Sequence, residues 1–195
     1  LIIDTDMGPD CDDAGALALL HILSREHPID FLAITNCTSN PYACGTIDAI
    51  NRFYGHGNIP IGTYEKPGFL EDGYAQKYNR FITENYINVY RPPVAAPSAQ
   101  KVLKNALHGA QRSSVVMLSI GPLNNMANLI NDAEGYALVK NKVSLFVTMC
   151  TGLEKPEWNI ERDISSAMDV FDKWPTPIVI SVAETGGSII TGRSF

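Results

Sequence analysis

The chain has 195 residues, 45% of them hydrophobic and 18% charged, with a formal net charge of −6. That length and balance suit one soluble domain with a sizeable core. The acidic balance, with no Lys/Arg run, speaks against nucleic acid or an anionic membrane as partner. No apolar stretch approaches the roughly 18 to 20 residues of a membrane span. The four cysteines (Cys11, Cys37, Cys44 and Cys150) show no CxxC spacing, which disfavours a structural zinc or a redox pair. Reduced thiols and a cytoplasmic location are the expectation. No signal peptide is visible, and the start at Leu1 without a Met is compatible with removal of a leader.

In chain order, Leu1–Asp4 is a short apolar run that reads as a buried strand. The segment "DTDMGPDCDD" follows, and "DDAGALALLHILS" then predicts a helix over Asp12–Ser24, opened by a carboxylate suited to the N-cap and the helix dipole. Further strands are expected at Phe31–Thr35, Val115–Ile120, Ser144–Met149 and Pro177–Ala183, and further helices at Pro41–Tyr54, Ser98–Gln111, Pro122–Asn131 and Asp163–Trp174. The strands are nearly continuous in hydrophobicity rather than alternating. They therefore predict an α/β fold with a mostly parallel open sheet and helices on both faces. Tyr64–Pro97 breaks the rhythm and looks like an excursion over the rim of the sheet. Its middle, Gly73–Tyr90, is compatible with a helix that covers one sheet edge, or with a lid presenting Tyr74 or Tyr78 to a substrate. A single domain over 1–195 is expected.

Five aspartates in the ten positions 4–13 need something to neutralise them. In open α/β sheets, ligands bind outside the carboxyl ends of the strands, and Asp4 closes the first strand. Three more segments end strands in polar residues: "TNCTSN" at 35–40, "SIGPLNN" at 119–125 and "TMCTGLEKPEWN" at 148–159. Together they offer carboxylate, amide and carbonyl oxygens, a hard ligand set that matches Ca²⁺ or Mg²⁺. Helix caps and turns account for each segment taken singly; their convergence favours a cation site. The Asp-x-Asp after an opening strand is also shared with haloacid-dehalogenase-like phosphatases. Gly8 stands where that pattern wants Thr or Val, and no later acidic pair completes it. Phosphate-loop, nucleophile-elbow and dinucleotide fingerprints are absent from the sequence.

The run "IIDTDMGPDCDDAGALALL" resembles the N-terminal signature of the inosine–uridine-preferring nucleoside hydrolases, DxDPGxDDxxAL. Asp4 and Asp6 match its first pair, Gly8 its glycine, and Asp12 and Asp13 its closing pair. Met7 replaces the usual proline, and the loop is two residues longer, as in a DxDxGxDxDD branch of that family. "LAITNCTSN", "LSIGPLNNMANLI" and "MCTGLEKPEWNIERDISSA" resemble the later segments of the family in the same order.

The resemblance implies Ca²⁺-dependent hydrolysis of the N-glycosidic bond of ribonucleosides to free base and ribose. It implies Asp6 as general base and metal ligand, Asp13 and the Ile120 carbonyl as further ligands, and Asp12 and Asn40 as contacts to ribose. Met149, Glu157 and Asn159 match residues that line the sugar pocket. Asp10, supplied by the insertion, has no assigned partner, and Tyr74, Tyr78 or Trp158 are candidates to stack on a base. A homo-oligomer, dimer or tetramer, and a small-molecule nucleoside partner are implied too. The family pattern also carries a C-terminal His-Asp, and this sequence contains no such dipeptide. A C-terminally incomplete chain is expected ahead of a degenerate relative. Two alternatives stay open: a ribose- or calcium-binding relative without turnover, and a haloacid-dehalogenase-like phosphatase.

Overall fold

Ile2 and Ile3 are both wholly buried, yet they belong to separate apolar clusters. Successive side chains of a strand point to opposite faces, so the first strand has a core on each side. A computed structural model describes residues 1–8, 10–70, 78–152 and 157–189. Its strands are β1 (Ile2–Thr5), β2 (Ala33–Asn36), β3 (Ile61–Thr63), β4 (Val115–Ser119), β5 (Val143–Thr151) and β6 (Ile178–Val182). They form one sheet in the order β3-β2-β1-β4-β5-β6, and every neighbouring pair is parallel. The expected α/β class with a parallel sheet is what the chain adopts.

Helix α1 (Asp12–Leu23) and α2 (Ala43–Phe53) cover one face, packing Leu17, Ala43 and Ile47 against Ile3, Ile34 and Ile61. Helix α3 (Asn79–Asn85) packs beside α2, with Tyr78 against the same cluster. The opposite cluster joins α4 (Ala99–Gly109), α5 (Asn124–Asn131), α6 (Ala133–Lys142) and α8 (Ile164–Lys173) to Ile2, Val115, Met117 and Phe146. Two short helices, α7 (Trp158–Arg162) and α9 (Ala183–Gly187), complete the described chain.

Strand order reverses direction between β1 and β4: the chain moves outward through β2 and β3, then returns to the other side of β1. Such a switch point leaves a crevice at the carboxyl ends of the two central strands. Asp4 is in register with Thr35 on β2 and Ser119 on β4, so all three polar strand ends share one level.

Several sequence expectations are corrected. Pro177–Ala183 is not a covered strand: among the described residues β6 is the last strand of the sheet, with Val179 51% and Ile180 43% exposed. Asp12 is not the N-cap of α1. Cys11 holds that place without a side-chain bond, and Asp12 and Asp13 form the acidic first turn. The helix expected across Gly73–Tyr90 covers only Asn79–Asn85 among the described residues. Strand β3 escaped the sequence reading because three residues centred on Gly62 carry too little β signal. Helix α6 escaped it because Gly135 interrupts its apolar pattern; the Asp132 side chain caps it, accepting from Gly135 N at 2.8 Å.

Candidate active site at the β1–β4 switch point

The acidic loop is held from below by buried residues. Met7, standing where the family signature has proline, is fully buried in the α1–α2 cluster, and its sulfur accepts the Tyr78 hydroxyl at 3.3 Å. Gly8 packs so close to the Asp6 carbonyl that a Cβ would lie 2.7 Å from that oxygen. Gly121, after β4, fits against Asp6 in the same way: a Cβ there would meet Asp6 Oδ1 at 2.8 Å and Cys37 Sγ at 2.7 Å. Asp6 is thereby wedged between the loops after β1, β2 and β4.

Asp13 is buried and accepts a hydrogen bond from the Thr5 hydroxyl. Burial pushes its carboxyl up to about 7, with the like charges of Asp12 and Asp10 adding to the rise and the Thr5 bond opposing it. Burial, and then the charge of Asp13, hold Asp6 well above the ordinary carboxylate range. Asp10, Asp12 and Asp13 each place a carboxylate oxygen within 4.8 Å of the others. The structure thus brings Asp10, which the sequence left without a partner, into one cluster with Asp12 and Asp13, while Asp6 lies beside Asp13 against Gly121.

This donor set fits a hard divalent cation. Three carboxylates converge, a fourth is adjacent, and the burial and like charge that raise Asp6 and Asp13 are what a bound positive charge would offset. Among the described residues no soft ligand joins the cluster: Cys37 is close to Asp4, Asp6 and Asp13, but burial keeps its thiol well above its usual range and so protonated.

Asp4 forms the floor. Its Oδ1 accepts from Thr35 Oγ1 at 2.6 Å and from Asn125 Nδ2 at 2.9 Å, while Oδ2 is buried with no hydrogen-bond partner among the described residues. Burial pushes this carboxyl up to about 7 against both hydrogen bonds. The same Asn125 nitrogen donates to the Asn36 carbonyl at 3.1 Å, and Asn124 Nδ2 donates to the Cys37 carbonyl at 2.8 Å. These two asparagines tie the ends of β1 and β2 to the start of α5. In the sequence they are the last two residues of "SIGPLNN", and adjacent amides opening a helix beside a strand end are the local signal for this role.

The remaining expected residues are distributed around this floor. Asn40 is buried at the end of the β2 loop and accepts from Tyr42 N at 3.0 Å. Asn159 Nδ2 donates to the Met149 carbonyl at 3.1 Å and reaches the Ile120 carbonyl at 3.5 Å, so Ile120, Met149 and Asn159 do meet. Glu157 uses both carboxylate oxygens to cap α7, on Asn159 N and Ile160 N. Trp158 is 44% exposed beneath the Arg162 guanidinium, 5.1 Å from its ring centroid. Tyr78 directs its hydroxyl to Met7, and Tyr74 lies outside the described residues.

The inosine-uridine preferring nucleoside hydrolase family model matches residues 1–192. Curated protein sequences give no match. Solved structures do match in fold. The effector protein XOO4466 superposes with a TM-score of 0.76 at 13% identity, covering 94% of this chain and 55% of that one. The type III effector protein XopQ, solved in complex with adenosine diphosphate ribose, gives 0.75 at 14%, covering 94% and 57%. A purine-preferring ribonucleoside hydrolase from Gardnerella vaginalis gives 0.67 at 20%, covering 93% and 60%. The chain therefore spans less than two thirds of the length of these structures. With an acidic β1 loop at the switch point and a family match along nearly its whole length, the chain belongs to the inosine–uridine-preferring nucleoside hydrolase family.

Proposed function

We propose that the protein is a calcium-dependent nucleoside N-ribohydrolase that releases free base and ribose, acting on a small-molecule nucleoside as a homo-oligomer. The observation that carries this reading is the gathering of Asp10, Asp12 and Asp13, with Asp6 within reach of their charge, at the carboxyl end of β1. Asp6, Asp13 and the Ile120 carbonyl would hold the ion, with Asp10 as the additional carboxylate within reach.

Cleavage of a ribosyl N-glycosidic bond passes through an oxocarbenium-like transition state with water as nucleophile. When bound, the ion would supply a fixed positive charge that orients this water and two ribose hydroxyls. Calcium acidifies water only weakly, so a side chain must take the proton. A carboxylate oxygen of Asp6 does so in this reading. Its burial beside Asp13 makes it a stronger base than a solvated aspartate once the cluster is ionised. Asp12 accepts from one ribose hydroxyl, and Asn40 contacts the sugar from the β2 side. Asn159 lines the far wall, where its hold on Met149 fixes the end of β5.

A second reading has its own support. XopQ was solved with adenosine diphosphate ribose. A ribosyl-compound-binding relative without turnover fits that likeness. A reducing-sugar assay over purine and pyrimidine nucleosides, with and without chelator, separates the two. Chelator-sensitive release of ribose from any nucleoside supports hydrolysis. Calcium-dependent binding of a ribosyl compound, with no ribose released, supports the second reading, and chelator-insensitive release overturns the metal assignment.

A further inference from the structure

The backbone that carries Asp6 has no stiff residue next to it. Met7 takes the place where the family signature has proline, whose ring would lock φ at about −65°. Methionine leaves φ free and has three side-chain torsions of its own, and Gly8 restricts the backbone less still. A general base must nonetheless keep its place, since a misplacement of about 1 Å can cost roughly a hundredfold in rate. The restraint that a ring would supply locally has to come from elsewhere in the fold.

The Met7 side chain shows where. It is wholly buried in one cluster with Leu17, Ala43 and Ile47, and its sulfur accepts the Tyr78 hydroxyl at 3.3 Å across 71 positions of sequence. Tyr78 is the N-cap residue of α3, and its side chain packs on the same cluster. Helix α3 is in turn fixed on α2. Thr83 Oγ1 donates to the Tyr42 carbonyl at 2.9 Å, and Thr46 Oγ1 donates to the Asn79 carbonyl at 3.0 Å. Asn79, next to Tyr78, is fully buried. Gly45 lets the two helices meet: a Cβ there would lie 2.5 Å from the Thr83 side chain.

We propose that Tyr78 is a positioning residue for Asp6: its hydroxyl, held in place by the α2–α3 join, clamps Met7 and so fixes the neighbouring carboxylate. The role of that carboxylate as proton acceptor rests on the hydrolase reading. A thioether sulfur is a weak acceptor. The contact therefore contributes direction more than strength, selecting one arrangement of a flexible side chain. A line of contacts runs from α2 through Asn79 and Tyr78 to Met7 and Asp6. The place of the base thus depends on α3, an element far from the acidic loop in sequence. It also gives Tyr78 a use other than stacking on a base.

Two conservative variants of the full chain remove the contact from either end. Tyr78→Phe keeps the ring and loses the hydroxyl; Met7→Leu keeps the volume and loses the sulfur. Each should lower kcat for ribose release about tenfold with KM within about twofold of wild type, because the proton moves in the transition state. The double variant should match the single ones rather than fall about a hundredfold, as two residues acting through one contact must. Tyr86→Phe, at the other end of α3, is the control and should leave both parameters unchanged. Should Met7→Leu not fold, Tyr78→Phe carries the test alone. Loop order is read without catalysis from a nitroxide on Cys11, the exposed one of the four cysteines. Its electron paramagnetic resonance spectrum should sharpen toward the mobile limit in Tyr78→Phe and in Met7→Leu. Sharpening in a chain that releases no ribose supports the clamp and overturns the hydrolase reading alone. Spectra unchanged in both variants overturn the proposal, as does an active enzyme whose kcat neither variant lowers. Losses that multiply in the double variant overturn it too. So does a Tyr78→Phe enzyme with raised KM and unaltered kcat, which would make Tyr78 a substrate contact.

Discussion

Asn125 on α5 donates its side-chain amide to Asp4 at the end of β1, 2.9 Å away, across the join where the strand order reverses. One nitrogen serves two acceptors, since the Asn36 carbonyl lies 3.1 Å from it. Removing it leaves a buried carboxylate with a single donor and a buried strand carbonyl with one donor fewer. An unsatisfied buried polar group costs about 1–3 kcal/mol, more where the group is charged. Asn125→Ala should therefore destabilise the fold by about 2–4 kcal/mol, read as a lower urea midpoint at unchanged slope. Asn125→Asp, which replaces the donor by an acceptor facing Asp4, should be worse. An Asn125→Ala midpoint equal to wild type would mean that Asp4 is not held through this bond.

Gly121→Ala probes the wedge on Asp6. The new methyl must displace either the Asp6 carboxylate or the Cys37 sulfur, each closer than 3 Å to where it would lie. Overpacking of this kind costs about 1–3 kcal/mol. The informative comparison is with activity: displacement of Asp6 should lower kcat by about a hundredfold with a smaller change in KM, because a base acts in the transition state. Equal stability loss in Cys37→Ala/Gly121→Ala with kcat restored would identify the cysteine as the obstacle and Asp6 as the group it displaces.

The parallel sheet with helices on both faces was legible because four of the strands are continuous apolar runs, each followed by a helical pattern; the strand order that makes the switch point was not. The acidic cluster was legible as a candidate because its carboxylates lie in one loop at the end of the first of these strands. What was not legible depends on long-range packing. Nothing local marks Asn125 as a partner of Asp4, since 121 positions separate them. Asp10 looked like a surplus residue of an insertion, and only the turn into α1 carries it to Asp12 and Asp13. Glu157 resembles a sugar contact by its motif; that its two oxygens also accept from backbone amides at the start of α7 depends on where that helix begins. The edge character of β6 is a matter of strand order, which hydrophobicity does not report.

His21 offers a pH test away from the site. It is buried between Phe31, Tyr54 and His56, with Nε2 2.8 Å from Asn51 Oδ1 and Nδ1 without a hydrogen-bond partner among the described residues. Burial lowers its pKa below the usual 6.5, against the Asn51 bond. A depressed folded value means that the neutral imidazole stabilises the fold above pH 6.5, and that this stability is lost as pH falls through the folded value. Asp4 and Asp13, both raised to about 7, act in the opposite sense over part of this range. The difference between wild type and His21→Phe removes their contribution. Urea midpoints measured between about pH 7 and pH 5 should fall more steeply for wild type than for His21→Phe. Parallel curves would show that His21 protonates as readily in the fold as in the unfolded chain.

The last prediction concerns the charge of the acidic loop itself. A ligand that binds only the folded protein stabilises it, by about 2.7 kcal/mol at a concentration one hundred times its dissociation constant. Calcium added to chelator-treated protein should therefore raise the melting temperature, and Asp13→Asn should abolish the rise, because Asp13 is the buried member of the cluster. Without the ion the same substitution should stabilise the protein, since it removes a buried carboxyl crowded by Asp12 and Asp10. Opposite signs with and without the cation are the mark of a ligand; a structural carboxylate would give one sign in both. Asp10→Asn distinguishes the roles within the loop. As a ligand it should reduce the calcium-induced shift while leaving the proton-accepting Asp6 in place, so saturating calcium should restore kcat. Asp6→Asn should leave kcat low at any calcium concentration. Equal, unrescued losses in both variants would place Asp10 and Asp6 in the same role.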